Sequence, residues 1–172
     1  MKNIDIVEGD ITDANVDAIV NAANPLMLGG GGVDGAIHKA AGPRLLEECR
    51  KVKLVNKVRC PVGEARITLA GDLPSKFVIH TVGPKYHREE NPGVLLSAAY
   101  TGSLKLALDS GCESIAFPAI SCGSYGYPVR EAADVAIQAC SQNEFKDIHV
   151  FFYLYSQKGY AIWQSVLDSK NT

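Results

Sequence analysis

The chain reads as an α/β domain in which a central mixed sheet lies between helices on both faces, a three-layer α/β/α arrangement. Three observations predict it. Short apolar runs that suit buried strands alternate with amphipathic stretches from one end of the 172 residues to the other. No repeat, linker or low-complexity segment interrupts the alternation, so residues 1–172 are expected to form one domain. A composition 47% hydrophobic and 21% charged is that of a globular chain, and the length allows a substantial core.

The first strand is Ile4-Asp5-Ile6-Val7, and the second runs from Asp17 to Asn21 around Ala18-Ile19-Val20. A helix is expected from about Asp34 to Ala41. Gly42 stops it, and Pro43, a favoured first residue, opens the next helix with Leu45, Leu46 and Cys49. Ala65 to Leu69 and Phe77 to Val82 read as strands. From about Gly93 to Ser110 a helix carries Ala98, Ala99, Leu104, Leu106 and Leu108 and closes at Gly111. Ser114 to Phe117 is another buried strand. Pro128 opens a helix with Val129, Ala133, Ala136 and Cys140 on one face. Ile148 to Tyr155 is a strongly apolar strand, and Tyr160 to Leu167 make the last helix.

Between the second strand and the first helix lies Asn24-Pro25-Leu26-Met27-Leu28-Gly29-Gly30-Gly31-Gly32-Val33-Asp34. Four glycines strip side chains from a loop, so backbone N–H groups can approach a ligand closely. The helix behind them offers free amides and the positive end of its dipole, which favour an anion such as phosphate. Asn24 and Asp34 bracket this loop. A simpler reading makes Asp34 a helix N-cap and Asn24-Pro25 a turn. Four consecutive glycines carry a backbone entropy cost that a plain turn does not require, which favours a site.

Gly30, Gly32 and Gly35 satisfy the G-x-G-x-x-G pattern of dinucleotide folds, but the rest of that fingerprint is missing. The loop before the first glycine is too long for a tight βα turn, and the region where an acidic ribose ligand belongs holds Lys51 and Lys53. Ala36 stands where a P-loop has its lysine.

A second loop, Pro118-Ala119-Ile120-Ser121-Cys122-Gly123-Ser124-Tyr125-Gly126-Tyr127, again leads from a strand into a helix. Two such loops at one sheet edge imply a ligand with more than one phosphate. The alternative is a plain surface turn, against which Tyr125 and Tyr127 count. At the same edge Asp10, in Gly9-Asp10-Ile11-Thr12, suits an amino group on a base, or equally a turn cap. Tyr155 suits stacking on a flat ring, although a lone aromatic more often packs. Cys122 as a nucleophile needs a base, and no histidine is placed beside it by the sequence. His80, inside Val78-Ile79-His80-Thr81-Val82, is expected to sit satisfied in the sheet, and His38, one turn after Asp34, can contact it.

Net charge is −2 with no basic stripe, so nucleic acid is not the expected partner. The five cysteines (Cys49, Cys60, Cys112, Cys122, Cys140) are odd in number and lack a C-x-x-C pair. That argues against a disulfide framework and a zinc site and for a reducing compartment. The chain begins directly with a strand and has no long apolar run, so the expectation is a cytoplasmic protein without membrane contact.

The blocks Gly9 to Thr12, Val16 to Asn24, Gly29 to His38 with Ala40-Ala41-Gly42, Val78 to Pro84, and Phe117 to Pro128 resemble the signature blocks of MacroD-type macrodomains. They fall in order over nearly the whole chain. The resemblance implies a ligand of ADP-ribose type, with no cofactor and no metal. It also implies hydrolysis of an ester at the distal ribose, either of O-acetyl-ADP-ribose or of mono-ADP-ribose on an acidic side chain of a protein. By the same resemblance, Asp10 and the backbone of Ile11 hold adenine and Tyr155 stacks near it. Gly32 and Val33, with the loop of Ser121, Cys122, Gly123, Ser124 and Tyr125, cradle the diphosphate and distal ribose. Asn24 and Asp34 flank the scissile ester. Either Asp34 or a substrate phosphate activates the water. Residues 122 and 124, and Cys60-Pro61-Val62-Gly63, depart from the family pattern, which bears on substrate preference rather than ligand class. Non-catalytic readers of ADP-ribose are the alternative; they tend to lack the Asn/Asp pair, and this chain has both.

Overall fold

The computed structural model describes residues 1–172. One sheet contains β1 (Ile4–Glu8), β2 (Ala18–Ala22), β3 (Ala65–Leu69), β4 (Phe77–Thr81), β5 (Ser114–Phe117) and β6 (His149–Leu154). Their order in space is β1-β6-β5-β2-β4-β3, and every neighbouring pair is parallel except β3 with β4. The mixed sheet is thus five parallel strands with one antiparallel edge.

The helices are α1 (Gly32–Ala41), α2 (Pro43–Arg50), α3 (Pro92–Asp109), α4 (Val129–Cys140) and α5 (Gln157–Lys170). Alternation along the strands assigns them to layers. Ala18 and Val20 of β2, Ile115 and Phe117 of β5, and Val150 and Phe152 of β6 pack with Tyr100, Leu104, Ile137 and Trp163 of α3, α4 and α5. Ile19, Ala116 and Phe151 point the other way, against Ile37 of α1 and Leu45 and Cys49 of α2. Central strands are therefore covered on both faces, which is why they read as unbroken apolar runs.

Among the element ends that differ from the sequence expectation, two bear on the site. Helix α1 starts at Gly32, with Gly31 as an N-cap that makes no side-chain bond. Asp34 therefore lies inside the first turn and does not cap the helix, because the glycines let the chain enter the turn before a capping side chain is reached. Strand β6 ends at Leu154, so Tyr155 projects beyond it with 85% of its surface exposed. The five parallel strands end at one edge, where the segments after β1, β2, β4, β5 and β6 meet. No helix is long and apolar enough to cross a membrane.

Candidate functional site

The loop after β2 is built by its own polar side chain. Asn24 Oδ1 accepts from the N–H groups of Leu26 (3.2 Å) and Met27 (3.1 Å), and Nδ2 donates to the Gly29 carbonyl at 2.9 Å. The buried Met27 anchors the turn from below, and Arg59 donates to the Leu26 carbonyl from outside at 3.2 Å. Asn24 shapes the loop, as the turn reading expects, and also lines a cavity of about 390 Å³ with Asp34.

Gly35 lets the loop close onto the helix, because a Cβ there would stand 2.6 Å from the Gly30 carbonyl oxygen. The first helical bond runs from Gly35 N–H to the Gly31 carbonyl at 3.2 Å. The amides of Gly32, Val33 and Asp34 precede it and are left for another acceptor.

Asp34 is the one carboxylate lining this cavity, and it is 4% exposed. Its Oδ1 accepts from Asn21 Nδ2 at 2.9 Å, and His38 Nε2 lies 3.4 Å from the same oxygen. Its Oδ2 turns towards Gly30: a Cβ on that glycine would lie 3.0 Å from Oδ2 and 3.5 Å from Asn24 Nδ2. The bare backbone thus leaves a gap between the carboxylate and the amide. Burial raises the Asp34 pKa, against the lowering effects of the Asn21 hydrogen bond and of His38.

Behind Asp34 a buried polar chain runs into the sheet. Asn21 and His80 are cross-strand partners on β2 and β4, on the face that carries α1. Asn21 Nδ2 is 3.2 Å from His80 Nδ1, and His80 Nε2 is 3.0 Å from Thr68 Oγ1, which donates to the Leu69 carbonyl. The amide donor requires Nδ1 to accept, so the proton sits on Nε2. Burial pushes the His80 pKa down to about 3, and the ring is neutral at ordinary pH. The expectation of a satisfied sheet histidine holds. Asn21 belongs to none of the loop motifs that mark the site in the sequence. Its signal was a polar residue inside the apolar run of a buried strand.

The second loop forms the opposite wall. Ser121 has a φ of +67°, rare for a residue with a side chain, and its buried hydroxyl has no protein partner. It packs so closely on Gly83 that a Cβ there would collide with the hydroxyl. Ser121, Gly123, Ser124 and Tyr125 line the same cavity as Asp34. Tyr127 is buried, and its ring packs on Tyr86 with centroids 4.8 Å apart. Cys122 faces a different space, and burial pushes its thiol up to about 11, so it is protonated and is no nucleophile at neutral pH.

That space is a more apolar cavity of about 630 Å³ lined by Asp10, Ile11, Tyr153, Tyr155 and Trp163. Asp10 Oδ1 accepts from Thr12 N–H (2.9 Å) and Thr12 Oγ1 (2.7 Å), which caps a short 3-10 turn, Ile11–Asp13. Asp10 is therefore a cap and a cavity residue together. Gly32, Val33, Ala119 and Gly123 line both this cavity and that of Asp34. The two form one groove, with amides in the middle, Asp10 and Tyr155 at one end, and Asn24 and Asp34 at the other.

The Macro domain family model matches residues 20–136. A macro domain-containing protein of Vibrio parahaemolyticus is 56% identical over 167 residues, covering 97% of this chain and 98% of that protein. An Escherichia coli protein named O-acetyl-ADP-ribose deacetylase is 50% identical over 173 residues, covering 97% and 96%. Among solved structures, the Oceanobacillus iheyensis macrodomain with ADP superposes with a TM-score of 0.92 at 43% identity, covering 98% and 91% of the two chains. The Trypanosoma brucei macrodomain in complex with ADP-ribose gives 0.84 at 38% identity, covering 96% and 69%. On this evidence the chain belongs to the Macro domain family.

Proposed function

We propose that this protein, acting as one macrodomain over residues 1–172, binds ADP-ribose and hydrolyses esters at its distal ribose. The observation that carries this is the single groove: a carboxylate and an aromatic ring at one end, glycine amides in the middle, and a carboxylate–amide pair at the other. The relatives named above support the same chemistry. Asp10 accepts from the adenine amine, the Ile11 backbone lies beside it, and Tyr155 covers the ring. The amides of Gly32 and Val33 and the loop Ser121 to Tyr125, Cys122 included, hold the diphosphate and distal ribose.

Asn24 and Asp34 flank the ester. A water molecule placed in the gap beside Gly30 attacks the acyl carbonyl carbon and gives its proton to Asp34 Oδ2. The tetrahedral intermediate expels the ribose oxygen, which takes that proton back, leaving a carboxylic acid and ADP-ribose. The raised pKa of Asp34 makes it a stronger base than a solvated carboxylate.

The same step serves O-acetyl-ADP-ribose and mono-ADP-ribose on an acidic side chain of a protein. The proposed setting is the cytoplasm, which five unpaired cysteines, four of them buried, support. The test is incubation with each of the two esters and chromatographic detection of free ADP-ribose, which is expected from both. Tight binding without release would leave a reader module in place of the hydrolase.

A further inference from the structure

Past Ser124 and Tyr125 the groove opens into another cavity of about 350 Å³, walled by Lys85, His87, Arg88 and Gly126. It shares Ser124 and Tyr125 with the Asp34 cavity and no residue with the Asp10 and Tyr155 end. It therefore adjoins the Asp34 cavity, the proposed reactive end of the groove, and not the Asp10 end.

Three of its six lining residues are basic and none is acidic, on a chain with 19 acidic residues against 17 lysines and arginines. The backbone beneath them is fixed. Tyr86 N–H donates to the Tyr125 carbonyl at 2.9 Å, and Arg88 N–H to the Lys85 carbonyl at 3.0 Å. The Lys85 ammonium stands 5.4 Å over the Tyr125 ring, at the shared wall. Lys85, His87 and Arg88 are exposed, and neither Lys85 nor Arg88 is engaged in an ion pair. Glu89 and Glu90 follow in sequence without pairing to them.

We infer that Lys85, His87 and Arg88 form a docking surface for carboxylates on the acyl side of the ester, namely the acidic residues that neighbour an ADP-ribosylated side chain in a protein substrate. A neutral two-carbon acetyl group uses none of this wall. A peptide leaving the reactive end across it brings several carboxylates past the Lys85 and Arg88 cations and the His87 ring. This rests on the hydrolase proposal above and names which of its two substrate classes the site favours.

The test compares kcat/KM for O-acetyl-ADP-ribose, for a peptide ADP-ribosylated on glutamate within an acidic sequence, and for the same peptide with neutral flanks. Exposed ion pairs are each worth up to about fivefold, so a preference of about five- to tenfold for the acidic peptide is expected at low salt. It should shrink towards unity at about 0.5 M salt. The double variant Lys85→Gln with Arg88→Gln should lose the preference and keep the wild-type rate on O-acetyl-ADP-ribose.

Equal rates on the two peptides, with O-acetyl-ADP-ribose turned over, overturn this inference alone. So does a double variant that keeps the preference. A succinyl ester of ADP-ribose that gains as much as the acidic peptide moves the charge to a small acyl group and overturns the assignment to peptide. Turnover of no ester overturns the hydrolase proposal, and this inference with it.

Discussion

Asn21 and Asp34 are joined by a buried hydrogen bond of 2.9 Å from the amide nitrogen to Oδ1, and the same nitrogen reaches Nδ1 of His80 at 3.2 Å. The carboxylate at the reactive end of the groove is thus held from behind by two sheet strands, while its second oxygen faces the gap beside Gly30. A carboxylate with one oxygen tied down cannot rotate away from Asn24, so its direction is set before any ligand arrives. Asn21 and His80 touch no ligand space themselves and act as positioning residues.

Asn21→Leu keeps the volume of the side chain and removes the donor. The Asn21 hydrogen bond lowers the Asp34 pKa, so without it the pKa rises further above the ordinary carboxylate value. The acid limb of the pH–rate profile for ester hydrolysis should therefore move to higher pH, with a loss of stability of about 1–3 kcal/mol from the unpaired buried group. An acid limb that stays in place in a folded Asn21→Leu protein would assign that limb to a group other than Asp34.

His80 gives a stability prediction with a definite sign. Its folded pKa is depressed to about 3 from an ordinary 6.5, so below pH 6.5 the unfolded chain takes up a proton that the folded ring refuses. The contribution is fully present above pH 6.5 and is lost as pH falls towards 3, at up to about 1.4 kcal/mol per unit. Asp34, with a raised pKa, works in the opposite direction, gaining stability as pH falls through its folded pKa. His80→Gln retains a donor and an acceptor without titrating in this range. Urea unfolding at pH 7 and pH 5 should show wild type losing about 2 kcal/mol more than the variant; equal losses would mean that the folded ring protonates freely.

The two loops and the succession of strands and helices along the chain are legible because glycines, prolines and apolar runs are local signals. The glycine loop of Gly29 to Gly32 and the loop of Pro118 to Tyr127 stand out in the sequence, and residues of both line one groove. What the sequence hid is cross-strand and cross-loop geometry. Nothing local pairs Asn21 with His80, which are 59 positions apart, or sets Lys85 over Tyr125. Asp34 was open to reading as an N-cap because capping is a one-residue pattern; the actual helix start depends on where the glycines allow the chain to turn. The strained, unpartnered Ser121 had no sequence signature, since its φ is imposed by the tight packing of its loop on Gly83.

Adenine recognition by Asp10 is tested by Asp10→Asn rather than by alanine, because Oδ1 also caps the turn through Thr12 N–H. Asparagine keeps an oxygen for that cap and puts an amide donor where the carboxylate faced the cavity. ADP-ribose, whose adenine presents an amine, should weaken by roughly 1.5–3 kcal/mol, the range for bonds to charged groups. The inosine analogue, which presents a carbonyl oxygen instead, should bind the variant at least as well as it binds wild type. Isothermal titration with both ligands decides it: an equal loss for the two would reduce Asp10 to a cap.

Asp34→Asn separates binding from chemistry. Asp34 does not cap α1, so the substitution leaves the helix start untouched, and an asparagine oxygen can still accept from Asn21 Nδ2. The change removes the charge and puts either a weakly basic amide oxygen or an amide donor beside Gly30 and Asn24. In the proposed binding mode affinity for ADP-ribose comes mainly from the adenine end and the glycine amides, and the variant lacks one buried negative charge near the diphosphate. Calorimetry should therefore find binding as tight as in wild type or slightly tighter. Turnover of O-acetyl-ADP-ribose should fall at least about tenfold, since general-base catalysis contributes roughly 10²–10⁴-fold. A folded Asp34→Asn protein with full activity would take the water-activating role away from the carboxylate and give it to the substrate's own phosphate, which the proposed binding mode sets against the amides of Gly32 and Val33.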